Sequence, residues 1–364
     1  MALELRQVSK KIGAETHIFE TSLKLEPGGF NVLLGATNAG KSTLIKMMAG
    51  LEKPTSGEVW MDGKNVTGVS PQKRNISMVH QFFMNYPHMT VFENIASPLR
   101  VAGVAKSEIS GRVQEAADIL QLGPMLKRMP EELSGGQQQR TALARAIVKE
   151  SKAVFLDEPL ANLDYKLREE LRDQLPELFA GRGAIVVYAT SEPGEALLLG
   201  GHTGLMHQGR VVQFGTTKDV YGNPSLKTAA AVFSDPPINT TQVTKSGVDI
   251  RLNDQVSWSA TGTATELADG EYSMSVRPHF VTPMAMPGAD VEIEGIVEIT
   301  ELSGSESVAH FRVDDEIWLA VSAGVHPYDI GRRQVFHLDP RECFYFDAAG
   351  NLAAKGGRQW PKSP

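Results

Sequence analysis

At 364 residues the chain has room for two domains, and a composition that is 41% hydrophobic and 22% charged excludes collagen-like and wholly disordered chains. The net charge of −7 is uneven: residues 1–235 carry 26 Lys and Arg against 25 Asp and Glu, and residues 236–364 carry 10 against 18. Neither part has the basic excess that binding to a phosphate backbone relies on, which argues against nucleic acid as a partner.

The single cysteine, Cys343, cannot close an intrachain disulfide or build a metal cluster, and reads as a small buried apolar residue of a chain kept in a reducing compartment. No charged-then-apolar leader starts at Met1, and no apolar run approaches the ~20 residues needed to span a bilayer. Any membrane role is therefore expected to be peripheral.

The first strongly patterned element is the apolar run Phe30 to Leu34, a β-strand expected to be covered on both faces. It leads into Gly35-Ala36-Thr37-Asn38-Ala39-Gly40-Lys41-Ser42-Thr43 and then into a helical run, Leu44 to Ala49. This fits G-x-x-x-x-G-K-[ST] between a strand and a helix. Successive backbone N–H groups and the helix N-terminus converge on phosphates, Lys41 adds positive charge, and the Ser42 hydroxyl is placed to ligate Mg²⁺. A glycine-rich loop alone is weak evidence; the flanking strand and helix strengthen it.

Further along come Val79-His80-Gln81, the segment Tyr86 to Ile95, and Leu133-Ser134-Gly135-Gly136-Gln137-Gln138-Gln139-Arg140 at the head of a helix. A Ser-Gly-Gly turn opening a helix makes a second backbone-amide anion site. Ala153 to Leu156 is another buried strand, ending in the carboxylates Asp157 and Glu158. Asp157 is placed to hold Mg²⁺ through water, and Glu158 to accept a proton from the attacking water or to orient it. Ala161-Asn162-Leu163-Asp164 follows, and Ala184 to Tyr188 is a third buried strand. Strands and helices in alternation predict a largely parallel sheet flanked by helices.

The turn formers from Asp235 to Thr241 suggest a boundary, giving an α/β domain over 1–235 and a second domain over 236–364. The latter shows short strand-like pieces, among them Gly295–Ile299, Val308–Val313 and Ile317–Val321, between Gly, Asp and Pro punctuation, and predicts a small β-barrel or sandwich. The tail from Lys355 to Pro364 is expected to fray.

Leu133 to Gln137 reads LSGGQ, and with the phosphate loop and the carboxylate pair the chain resembles the ATPase subunits of ABC transporters. The resemblance covers the whole chain. It implies a P-loop NTPase cassette with a helical subdomain, followed by a small all-β, OB-like regulatory domain, with ATP and Mg²⁺ as ligands. Residues 133–137 would act in trans, closing over ATP held by the other subunit of a head-to-tail dimer. Gln81 matches the loop glutamine that touches Mg²⁺ and the attacking water, and Asp164 belongs to the loop that crosses the dimer interface. The segment Tyr86 to Ile95, the pair Arg277-Pro278 and Phe344-Tyr345-Phe346-Asp347 resemble the sugar-importer branch, in which the segment after the glutamine loop receives the membrane subunit.

Three positions depart from that pattern. Ile12, before Gly13, stands where an aromatic side chain stacks on adenine, so the base should be held less firmly. Asn38 takes a place usually given to Gly, and Asn tolerates left-handed backbone well. Thr190-Ser191-Glu192 stands where Thr-His-Asp is expected, so Ser191 replaces a histidine that bonds the γ-phosphate and the attacking water. Loss of a typical acid–base or positioning contribution of ~10²–10⁴ implies ATP binding with slow turnover at this chain's own site, the alternative being that Ser191 acts through a water with activity barely changed. An intact signature beside an incomplete site suggests pairing with a different ATPase subunit, with a homodimer as the alternative. The resemblance further implies two membrane-spanning permease subunits, a solute-binding protein outside the membrane, and a place on the cytoplasmic membrane face. The competing readings are a non-hydrolysing regulatory subunit and a soluble ABC ATPase of translation or DNA repair.

Overall fold

The computed structural model describes residues 2–82, 84–161, 163–179, 183–285 and 291–357. It separates into two compact units, residues 1–218 and 219–364. The division falls before the expected 235/236 boundary. Residues 219–235 include a helix, Lys227–Val232, whose Ala230 packs with Phe344 and Phe346, while the Lys227 N–H bonds the Gly350 carbonyl at 2.8 Å. Hydrophobic contact places this stretch with the β unit, although the turn-forming residues come later in the sequence.

In the first unit, β1 (Leu3–Ile12) and β2 (Glu15–Leu25) form a hairpin, and β3 (Phe30–Leu34) leads to α1 (Lys41–Ala49). Then come β4 (Ser56–Met61), β5 (Lys64–Asn65), α2 (Pro71–Arg74) and β6 (Ile76–Val79). Three helices follow: α3 (Val91–Val101), α4 (Lys106–Ile119) and α5 (Gly135–Ile147). The unit ends with β7 (Ala153–Asp157), α6 (Tyr165–Phe179), β8 (Ile185–Thr190), α7 (Pro193–Leu199), β9 (His202–His207) and β10 (Arg210–Thr216).

The central sheet runs β10-β9-β3-β8-β7-β6. Five of its strands are parallel, and β10 closes one edge antiparallel to β9. Every residue of β3, β7 and β8 is buried, as continuous apolar runs require of strands covered on both faces. A smaller antiparallel sheet, β2-β1-β4-β5, shares its apolar core with one face of the central sheet and with α1. Leu44, Ile45, Met47 and Met48 of α1 are at most 1% exposed. At about 1.5–3 kcal/mol for each fully buried side chain, they anchor this helix by roughly 6–12 kcal/mol before conformational entropy is subtracted. The loop ahead of α1 is thus suspended between two rigid elements.

Beyond the helix Lys227–Val232 the second unit is built on β-strands, in antiparallel sheets of six and five strands. Side chains of both sheets, including Met274, Ile293, Phe311, Trp318, Phe336 and Tyr345, meet in one core. Phe311 and Phe336 stack with ring centroids 4.0 Å apart. Cys343 is fully buried there, and burial pushes its thiol well above the ordinary range, as expected for a small core residue.

Candidate functional site

Adjacent strands β3, β8 and β7 end side by side. In an open parallel sheet this is the edge where ligands bind. Beyond β3, the Gly35 N–H bonds the Thr190 carbonyl at 3.2 Å, and Ala39 N–H bonds the Ala36 carbonyl at 3.0 Å, so the loop turns tightly into α1. A Cβ at Gly35 would run into the Met206 carbonyl. Gly40 caps the helix with φ 102°, and Asn38 sits left-handed at φ 66°. The left-handed tolerance expected of Asn38 is what this turn uses.

Lys41 is nearly buried, and its Nζ donates to the carbonyls of Gly35 at 2.7 Å and Ala36 at 3.0 Å. The same ammonium lies 3.3 Å from Glu158 Oε1. The other carboxylate oxygen of Glu158 accepts from Gln81 Nε2 at 3.1 Å. Glu158 has φ 48° and is held by its own N–H to the Ala189 carbonyl at 3.0 Å. A non-glycine residue in this conformation is strained by about 1–3 kcal/mol, which the surrounding sheet must offset. Next to it, Asp157 is 2% exposed and accepts from Ser42 Oγ at 2.9 Å. Burial pushes its carboxyl up; the Ser42 hydrogen bond pulls it down, and Glu158 pushes it up again. His80 is pushed down by burial, against the pull of Asp157.

Residues far apart in sequence thus converge: the loop 35–43 with Gln81, Asp157 and Glu158. Thr37, Asn38, Gly40, Lys41, Ser42, Thr43, Gln81 and Glu158 border a cavity of about 470 Å³; Asp157, bonded to Ser42, is not part of its wall. Its wall also contains Glu15, Thr16 and His17 of β2 and Gln208 and Gly209 of the β9–β10 turn, none of which carries a motif that sequence reading singles out. Backbone bonds join these walls, Gly209 N–H to the Ala39 carbonyl and Phe19 N–H to the Gly209 carbonyl, both at 2.9 Å. A larger groove, about 1050 Å³, lies by the opposite ends of β7 and β8 and contains none of these residues.

Ile12 ends β1 with 52% exposure and is not part of the cavity wall. Ser191 is likewise exposed and outside that wall. The turn carrying Ser191 is braced: Thr190 Oγ1 accepts from Glu192 N–H at 3.0 Å, and Glu192 pairs with Arg168 at 2.8 Å. Arg168 also donates to the Ala161 carbonyl at 3.2 Å, tying this turn to the 161–164 segment. In that segment Asp164 accepts from Leu167 N–H at 3.0 Å and caps α6; Asn162 lies outside the described residues, as do the last seven residues of the tail.

Residues 133–137 stand apart from the cavity at the start of α5. Leu133 is buried, and Ser134 and Gln137 form a reciprocal capping box: Gln137 N–H to Ser134 Oγ at 3.4 Å and Ser134 N–H to Gln137 Oε1 at 3.0 Å. The following helical residues grip the Tyr86–Ile95 segment. Asn85 Nδ2 donates to the Gln138 carbonyl at 2.8 Å, Arg145 donates to the Met84 carbonyl, and its guanidinium lies 4.4 Å from the Tyr86 ring centroid. Buried Asn94 closes the segment with bonds to the carbonyls of Tyr86, Met89 and Thr90. Phe82, Met84 and Tyr86 are left exposed, an apolar face of the kind that accepts a partner.

The donors beside the cavity suit a magnesium ion. Mg²⁺ takes hard oxygen ligands, usually one or two carboxylates completed by phosphate oxygens and water. The Ser42 hydroxyl and Asp157 carboxylate already share a hydrogen bond, and the Gln81 amide stands next to Glu158, so the chemistry of the set fits.

Residues 18–161 match the family model described as "ABC transporter", and residues 274–346 match the "TOBE domain". The chain is 39% identical to the sn-glycerol-3-phosphate import ATP-binding protein UgpC of Ralstonia nicotianae, over 85% of this chain and 86% of that protein. It is 34% identical to the protein of the same name from Escherichia coli O1:K1, over 95% of this chain and 97% of that one. Among solved structures it resembles the dimeric ATP-binding cassette MJ0796 in a post-hydrolysis state bound to ADP and Pi, at 28% identity and a TM-score of 0.55, covering 59% of this chain and 98% of that one. Among the described residues no helix is long and apolar enough to cross a membrane.

Proposed function

The chain belongs to the ATP-binding subunits of ABC transporters, and from that premise we propose that it is the ATPase of an importer for a carbohydrate or polyol, with sn-glycerol 3-phosphate as the first candidate cargo. The observation that carries this reading is similarity running through both units to proteins named for that import. The cargo itself would be recognised by other subunits.

In this reading the N–H groups of residues 35–43 and the N-terminus of α1 hold the triphosphate, and Lys41 neutralises it. Ser42, Asp157 and Gln81 would hold Mg²⁺, which when bound supplies charge neutralisation between the transferring and leaving phosphates. The triphosphate competes with Glu158 for Lys41. As the ammonium turns to phosphate, the Glu158 carboxylate is released from its 3.3 Å ion pair and becomes free to accept a proton from the attacking water. Gln81 keeps hold of the other carboxylate oxygen and so orients the base.

Residues 133–137 present backbone N–H groups at the start of α5, too far from this chain's own cavity to border it. They would meet the nucleotide of a second cassette. ATP sandwiched between two cassettes favours the closed dimer, hydrolysis removes the bridge, and the population shifts back. The grip of α5 on residues 84–95 carries that motion to the exposed Phe82, Met84 and Tyr86, where the membrane-spanning subunits would sit on the cytoplasmic side.

A second reading rests on Ser191: the partner cassette is a different ATPase subunit with a complete site. Purified chain with Mg²⁺ and ATP tests both. The main reading expects hydrolysis that Glu158→Gln abolishes while ATP binding persists; no ATP binding, alone or in the native assembly, defeats it. Hydrolysis only after mixing with a second ATPase subunit supports the unequal pair, and a homodimer with full activity removes it. Uptake of labelled sn-glycerol 3-phosphate, glycerol and a disaccharide by cells lacking the gene identifies the cargo.

A further inference from the structure

We propose that the imidazole of His17 supplies the flat surface for the nucleoside end of ATP that Ile12 does not provide. The inference rests on the reading of the 470 Å³ cavity as the ATP site and goes beyond it by naming the residue that holds the base and ribose.

The sequence leaves the base without its aromatic partner, and the structure shows a planar side chain close by. His17 borders the cavity together with Thr37, Asn38 and Gly40 of the phosphate loop, whereas Ile12 does not. The strand places it there by alternation: on β2, Ile18 is buried in the core, so its neighbour His17 points the other way. Ile12 pairs with Glu15, two residues before His17, and so lies about 7 Å further along the hairpin from the phosphate loop.

The position is rigid. A Cβ added to Gly40 would lie 3.4 Å from the His17 carbonyl, and one added to Gly209 would collide with that carbonyl, so the backbone of residue 17 is wedged between the phosphate loop and the β9–β10 turn. The ring is less constrained. Its side chain is 38% exposed, and Nε2 stands 3.7 Å from Glu15 Oε2, a loose pairing that orients the ring without burying it. An imidazole held this way offers a π-face to any base and an N–H to the ribose, while Gln208 borders the same cavity from the opposite turn.

The test is equilibrium binding to the full chain of two ligands, ATP and inorganic tripolyphosphate, each with Mg²⁺, by displacement of a fluorescent nucleotide. The variants are His17→Ala, His17→Phe and Ile12→Ala. His17→Ala is expected to weaken ATP about tenfold and to leave tripolyphosphate unchanged, because only one of the two has a base to stack. His17→Phe, which keeps a flat ring, is expected to restore ATP binding, and Ile12→Ala to change neither ligand by more than about twofold.

An unaltered ATP affinity in His17→Ala overturns the inference. So does an equal loss for both ligands, which would place His17 on the phosphates or show that the loop had been disturbed, and so does failure of His17→Phe to recover. Failure of the unsubstituted chain to bind either ligand would instead defeat the assignment of the cavity, so the two conclusions fail separately.

Discussion

Lys41 is expected to be a structural member of the nucleotide-free site as well as a ligand for phosphate, and Lys41→Met tests that. The substitution keeps the length and apolar stem of the side chain and removes its charge. It deletes the bonds to the Gly35 and Ala36 carbonyls at 2.7 and 3.0 Å and leaves Glu158 without the cation 3.3 Å away. A hydrogen bond from a charged donor contributes about 1.5–3 kcal/mol. Two such bonds, less what water entering the open cavity restores, give a net loss of ~2–4 kcal/mol. For a unit of this size each kcal/mol corresponds to roughly 2–4 °C, so the calorimetric transition of the first unit should fall by about 5–15 °C without nucleotide. Adding Glu158→Gln removes the uncompensated carboxylate. The double variant should therefore recover ~1 kcal/mol or more relative to the sum of the singles, a coupling expected only of side chains in contact. An unchanged transition in Lys41→Met, or strict additivity in the double variant, would refute the claim that the lysine organises the loop before ATP arrives.

Ser191→His should raise the rate of ATP hydrolysis by about tenfold or more if the site is slow for want of that side chain, and single-turnover rates of wild type and variant decide it; equal rates show that Ser191 already suffices. At Asn38, with φ 66°, Asn38→Gly should leave ATP affinity intact and thermal stability equal or slightly higher, whereas Asn38→Val should lower stability by ~1–2 kcal/mol and weaken ATP binding, both read by nucleotide-dependent melting curves. The Cys343 thiol, fully buried and pushed upward by that burial, should stay unmodified by a thiol reagent at pH 8 in the folded chain and react on unfolding. A raised thiol is neutral below its folded value, so raising the pH towards 9 should not expose a thiolate unless the second unit opens.

Much of the site is readable along the chain because the chemistry needs contiguous residues. A phosphate cradle requires successive amides, glycines where Cβ atoms would collide, and a lysine at the first position of a helix, so residues 35–43 stand out as candidates, as do the carboxylates at the end of β7 and the capped Ser134–Gln137 turn. Continuous apolar runs likewise announce β3, β7 and β8 as covered strands, since period and burial follow from side-chain type.

Long-range placement was decided only by the tertiary structure. That Gln81 and Lys41 grip the two oxygens of Glu158 depends on the order β3-β8-β7-β6, with Gln81 following β6, which no local pattern states. The wall formed by Glu15, Thr16, His17, Gln208 and Gly209 comes from a hairpin and a turn brought together by the folded sheets, so its residues carry no mark of their own. The domain division moved for a similar reason. Turn propensity is local, but Ala230 buries its methyl against Phe344 and Phe346, more than a hundred residues downstream, and the hydrophobic effect acts on surface removed from water without regard to sequence order.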